Sequence, residues 1–179
     1  MNNSENTINA DYIPAIKSNW EGRKSNPDIE NQYWHQEIKI IDTGKDPFIS
    51  DVDIAILGYV CDEGVRRNRG RIGANKGPDA IRERLAKLPI HFDDKRVGDV
   101  GNIVCIDDDM EDCQSLFSNN ISNLIRQNIF PIAIGGGHDM SYGHFIGIWN
   151  VIKSTRKKSV GIINFDAHFD LRPVERKSN

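Results

Sequence analysis

Asp166, His168 and Asp170 occupy alternate positions in residues 161–172, GIINFDAHFDLR, directly after an apolar run. If the backbone stays extended there, the three side chains point to one side, about 6.6–7 Å apart along the chain. Carboxylates and imidazoles together suit hard or borderline divalent ions such as Mn²⁺, Zn²⁺ or Fe²⁺. A carboxylate can also bridge two ions about 3.5–4 Å apart, and a water they share loses a proton near neutral pH and becomes a nucleophile. Taken alone, an Asp-x-His-x-Asp run reads equally well as a polar loop on a strand end.

A second cluster tips the balance. Residues 132–144, IAIGGGHDMSYGH, place three glycines after a short apolar run, then His138 and Asp139 at the opening of a helical pattern. Two strand ends of one parallel sheet would deliver His138 and the Asp166/His168/Asp170 group to the same edge, where open α/β sheets bind ligands. The glycines let the backbone turn sharply. They are too few and wrongly spaced for a phosphate loop, which also wants a Lys after them.

The elements that must position these residues follow from periodicity. Residues 53–59, DIAILGY, form a continuous apolar run of the kind found in a buried parallel strand. Residues 61–78 read as a long loop rich in Gly and Arg. Its Arg66, Arg67, Arg69 and Arg71 could pair carboxylates in bidentate geometry, or simply form a solvated basic loop or subunit contact. Pro78 suits the first position of a helix bearing Ile81, Leu85 and Leu88, which Pro89 ends. A short strand near residues 103–106 precedes a helix with the stripe Phe117, Ile121, Leu124 and Ile125, closed by Asn128. A strand over 130–134 and a helix to about Lys153 come next, with His144 read as a packing or surface residue. Residues 160–165 are expected as the last strand. This order describes an open α/β sheet with right-handed crossovers. Residues 1–50 read as an N-terminal arm and edge elements, with 1–30 extended or partly disordered and Trp20, Tyr33 and Trp34 covering a core edge. Residues 51–179 belong to one domain.

The 179 residues carry 23 Lys plus Arg against 26 Asp plus Glu, a formal net charge of -3, so nothing global suggests nucleic acid. Cys61, Cys105 and Cys113 are odd in number and lack C-x-x-C spacing. They point to a reducing compartment and away from a disulfide framework or a thiolate zinc site, and read as ordinary semi-buried thiols. No apolar run approaches the roughly 20 residues needed to cross a bilayer, and the polar N-terminus shows no signal peptide. A cytoplasmic location with no membrane partner is the expectation.

GGGHD with His138, NFDAHFD with Asp166, His168 and Asp170, and RIGANKGPDAIR upstream together resemble the ureohydrolase superfamily of arginases, agmatinases and formimidoylglutamases. The form GVRRNRGRIGANKGPDAIRERLAKLP, with GGGHD where arginases typically carry GGDHS, is most similar to the formimidoylglutamase branch. The resemblance runs from about residue 53 to 172. It implies an α/β, three-layer αβα arginase-like fold with a mainly parallel sheet and a dinuclear Mn²⁺ centre at the strand C-termini. Matched by motif, His138, Asp166 and Asp170 would hold one ion, and His168 with the bridging Asp166 the other. The implied reaction is hydrolysis of N-formimidoyl-L-glutamate to formamide and L-glutamate in histidine degradation, and a homo-oligomer is a further expectation. Arg172 lies where arginases carry a substrate-contacting Asn, so it is a candidate partner for a carboxylate of the glutamate moiety.

In one respect the chain departs from the family. Its members take a D-x-D pair that completes both metal shells, and a Glu near the substrate, from a second half that does not occur here. Asp51, Asp53 and Asp107–Asp109 precede the first metal motif and do not match those ligands. The C-terminal strands of the fold are then missing, which leaves a sheet edge unpaired. Two other functional readings stand beside the first: an inactive fragment or assembly partner of that enzyme, and a hydrolase of a guanidino compound such as agmatine or arginine, releasing urea. The Arg-rich loop suits an anionic substrate better than a guanidinium.

Overall fold

The computed structural model describes residues 10–23, 26, 32–92, 94–154 and 159–170. Five strands form one sheet: β1 (Ala10–Ile13), β2 (Lys39–Ile40), β3 (Ile54–Val60), β4 (Val97–Cys105) and β5 (Phe130–Gly135). Their order is β1-β4-β3-β5, with β3 parallel to both β4 and β5. β3 takes one edge of β4, so β1, antiparallel, and β2, parallel, share the other. The helices are α1 (Trp34–Glu37), α2 (Glu63–Arg67), α3 (Gly77–Leu85), α4 (Met110–Arg126) and α5 (Met140–Ile152).

Side chains alternate across a strand, and β3 uses both faces. Ala55, Leu57 and Tyr59 join Phe117, Ile121 and Leu124 of α4 in one buried cluster. Ile56 faces the other way, into a second cluster with Trp20, Ile38, Ala86 and Ile134. The sheet therefore lies between α4 and α5 on one side and α3 with the N-terminal arm on the other. α5 approaches α4 closely because Gly147 has no Cβ: one there would stand 2.7 Å from Ile121 and 2.8 Å from the carbonyl oxygen of Ser118. Ser122 Oγ uses that proximity to donate to the Gly147 carbonyl at 2.9 Å. α4 starts with the Asp109 side chain accepting from the Asp112 N–H, and Asn128 turns the chain after it with φ 61°. Among the described residues, no helix is long and apolar enough to cross a membrane.

A buried polar network joins the layers. Asp99, on β4, is 0% exposed and receives Arg82 Nε at 2.7 Å, an Arg82 terminal nitrogen at 2.9 Å and Trp20 Nε1 at 2.7 Å. Arg82 also donates to the Asn102 side chain and the Gly101 carbonyl. Each donor of the buried guanidinium that faces the interior thus meets an acceptor, which is what makes burying the pair tolerable. The network also fixes an irregularity: the β3–β4 register shifts between Ile56 and Gly58, where Gly101 takes φ 87° and donates its N–H to Asp99.

The fold differs from the periodicity reading in four places. Residues 10–13 of the extended arm are a paired strand, β1, and Trp20 is fully buried because its indole N–H has Asp99 to satisfy. β4 begins at Val97, six residues before the expected strand, since its Gly- and Asp-containing first half is stabilised by long-range contacts that leave no periodic signal. The 61–78 loop contains α2 and a 3₁₀ turn, because Glu63 pairs with Arg66 and Arg67 at helical spacing. Residues 160–165 form no strand: Ile162 and Ile163 are 74% and 83% exposed, and among the described residues β5 pairs only with β3. A strand persists where a neighbour takes up its backbone groups, and this segment has no ladder partner.

Arg82→Met leaves Asp99 charged, buried and without its cation. The expected loss is about 3–5 kcal/mol in urea denaturation; a loss below about 1 kcal/mol would show that the network contributes little.

Candidate metal centre

β5 ends at Gly135, and the next two residues are held against the end of β3. Gly136 N–H donates to the Tyr59 carbonyl at 2.9 Å and Gly137 N–H to the Cys61 carbonyl at 2.8 Å. Only glycine fits at 136, since a Cβ there would lie 2.1 Å from the Cys61 oxygen and 2.6 Å from that of Tyr59. This latch sets where His138 emerges. Asp139 opens α5, and its side chain is tied back to the sheet by the Tyr59 hydroxyl, which donates to Oδ2 at 2.7 Å. Ser141 Oγ donates to the His138 carbonyl at 2.8 Å, closing the turn.

The Asp166/His168/Asp170 group reaches the same place by a bend rather than a strand. His168 N–H donates to Asp166 Oδ1 at 2.9 Å, the Asx-turn geometry that short polar side chains favour over extended backbone. Asp170 takes φ 52°, and Asn164 Nδ2 donates to its Oδ2 at 3.0 Å and to the His168 carbonyl at 3.4 Å. The segment therefore curls, and its two carboxylates turn toward one imidazole.

The result is a convergent set of donors. His138 Nε2 stands 3.3 Å from Asp170 Oδ2, and His138 Nδ1 4.0 Å from Asp166 Oδ2. One donor atom each from His138, Asp166 and Asp170 lies within 4.8 Å of the others. His168 stands outside that trio, with its Nδ1 3.3 Å from the other Asp166 oxygen, so Asp166 lies between two imidazoles. The His168 backbone N–H, and then its side chain, hold the Asp166 carboxyl below its ordinary range. A mixed carboxylate and imidazole set at this spacing fits a hard or borderline divalent cation. The four side chains line an open cavity of about 530 Å³ together with Asp139, Gly64, Val65, Asn68 and Gly70.

Two of the arginines of the loop over 61–78 pair with carboxylates of the chain itself. Arg66 and Arg67 both donate to Glu63, which is buried, and Arg67 continues to Glu111. These pairs lower the pKa of Glu63 and raise those of both guanidiniums. None of the four arginines lines the cavity; the loop offers it backbone and small side chains. Arg172 falls outside the described residues. His144 is half-buried beside Ile125, Phe130 and Ile148, away from the metal centre, and burial lowers its pKa. Motif reading missed two residues that shape the site, Tyr59 and Glu63. The Glu63–Arg66–Arg67 spacing could have revealed the second, whereas the Tyr59–Asp139 contact has no local signal.

Residues 52–179 match the Arginase family. The chain is 42% identical over 175 residues to a formimidoylglutamase of Clostridium tetani, covering 93% of this chain and 51% of that relative. It is 41% identical over 167 residues to one from Geobacillus sp. (strain WCH70), covering 92% and 51%. The chain thus spans about half the length of the curated relatives it matches. Among solved structures, a Trypanosoma cruzi formiminoglutamase with Mn²⁺ aligns at a TM-score of 0.53 and 29% identity, over 57% of this chain and 36% of that one. A variant of the same protein with Mn²⁺ gives 0.53 and 31% over the same shares.

Gly136→Ala places a methyl group against two backbone carbonyls. Calorimetry should show a loss of about 1–3 kcal/mol, with Mn²⁺ affinity lowered at least about tenfold. Gly161→Ala, with nothing within 4 Å of the added Cβ, should change neither. Equal behaviour of the two variants would mean that the latch does not position the site.

Proposed function

The chain belongs to the arginase family, and from that membership we propose that it carries the first part of the catalytic site of a hydrolase of a linear amidine C–N bond. The substrate in this reading is N-formimidoyl-L-glutamate, and the products are L-glutamate and formamide. The observation that carries it is the convergence of His138, Asp166 and Asp170 from two separate turns on one point of a cavity. Support for the substrate comes from relatives about 40% identical that bear the formimidoylglutamase name.

In this reading His138, Asp166 and Asp170 hold one Mn²⁺, and His168 with Asp166 a second. Ions held there would supply Lewis-acid chemistry and lower the pKa of water. Asp166 is the residue able to serve both ions, because its two oxygens already face different histidines. Asp139 and Tyr59 act as positioning residues that keep the His138 turn on the sheet. Gly64 has no Cβ, and one there would stand 2.4 Å from Asp139 Oδ1, so its absence lets the Asp139 carboxyl pack beside the cavity. Arg172 is assigned to a substrate carboxylate, and the remaining ligands to a D-x-D pair outside this chain. The three free thiols support a reducing, cytoplasmic setting.

A second reading rests on the half-length match: this chain alone is inactive and works only when completed. Both are tested by formamide release from N-formimidoyl-L-glutamate with Mn²⁺, using this chain beside one extended to the relatives' length. The extended chain should be active, and His138→Ala in it should lower kcat/KM at least about 100-fold. Arg172→Ala should raise KM with little change in kcat, the signature of lost uniform binding. Urea release from a guanidino substrate by the extended chain, with no formamide, would overturn the substrate; an unchanged KM would overturn the role of Arg172.

A further inference from the structure

The three cysteines come from three different elements: Cys61 follows β3, Cys105 ends β4 and Cys113 lies in the first turn of α4. Their spacing in the sequence suggests no cluster, yet their three Sγ atoms all lie within 4.8 Å of one another. Cys61 and Cys113 are buried, Cys105 is partly exposed, and all three are free. We propose that Cys61, Cys105 and Cys113 form a three-sulfur site for one thiophilic divalent cation of the zinc or cadmium kind, separate from the His138 centre.

The dimensions suit it. Three thiolates placed about 2.3 Å from a zinc ion in one plane stand about 4 Å apart, within the span observed. Soft sulfur ligands select such ions over the hard cations that a carboxylate set prefers, so the two sites differ in the ion they take. The surroundings also suit a cation: Cys61 and Cys113 are hydrogen-bonded through their sulfurs, and Asp108 and Asp109 add negative charge beside Cys105. Burial raises Cys105 to about 12, and its contact with Cys61 raises Cys113. Each sulfur gives the ion a lone pair, and the thiol protons leave to the buffer. The partial exposure of Cys105 provides the entry path.

Occupancy would tie the ends of β3 and β4 to α4. It would also stiffen the peptide whose carbonyl receives the Gly137 N–H, the latch beneath His138.

The test is titration of the reduced, metal-stripped 179-residue chain with Cd²⁺, read by the ultraviolet thiolate-to-cadmium charge-transfer band and by proton release. One equivalent should saturate the band, release protons and raise the melting temperature in a concentration-dependent way. Cys105→Ser, at the partly exposed position, should weaken the band and lower affinity at least about tenfold. His138→Ala should leave the band intact. Absence of a thiolate band at stoichiometric Cd²⁺ would overturn the site, as would an unchanged band in both Cys105→Ser and Cys113→Ser. Loss of the band in His138→Ala would overturn the independence of the two sites.

Discussion

Two backbone hydrogen bonds, from the N–H groups of Gly136 and Gly137 to the carbonyls of Tyr59 and Cys61, decide where the candidate site lies. They fasten the turn after β5 to the end of β3, so His138 leaves the sheet at a fixed point, and they leave no room for a side chain at 136. The ion pairs that His138 makes are poor candidates for this positioning. His138 is 61% exposed and Asp170 41%, and pairs so exposed contribute roughly 0–1 kcal/mol. Backbone geometry aims the imidazole, and the carboxylates come to it through their own Asx turn.

Beneath the latch, stability rests on two contributions of different character. Apolar burial on both faces of β3 supplies the larger driving force, non-directional and tolerant of detail. The Arg82–Asp99–Trp20 network adds direction: it joins α3, β4 and the N-terminal arm through hydrogen bonds with few alternative partners. Its net contribution to stability is modest when intact, but removing one member leaves a buried charge, so it penalises other arrangements of these elements more than it stabilises this one.

What the sequence disclosed and what it hid divide along contact range. The donor residues that the structure brings together were legible because they stand as residue types at short spacing, in GGGHD and NFDAHFD, and the main helices were legible from stripes such as Phe117, Ile121 and Leu124. β1, the early start of β4 and the burial of Trp20 were not, because each depends on partners far away in the chain: β1 on residues 102–105 of β4, and Trp20 and Arg82 on Asp99. The cysteine cluster was hidden for the same reason. The strand expected at 160–165 shows the opposite error: its apolar run promises a strand, but the structure gives it no neighbour to pair with. The arginines of the loop over 61–78 suggested substrate contacts, whereas two of them neutralise Glu63.

The central claim is that His138, Asp166 and Asp170 meet as a site for a divalent cation, and it is open to a direct measurement. Electron paramagnetic resonance of Mn²⁺ titrated with this chain reports free aqueous ion as a sharp six-line signal. The account predicts that the chain removes that signal, and that His138→Ala or Asp170→Asn restores it. A free-ion signal unaffected by the chain, or removed equally by both variants, would contradict it.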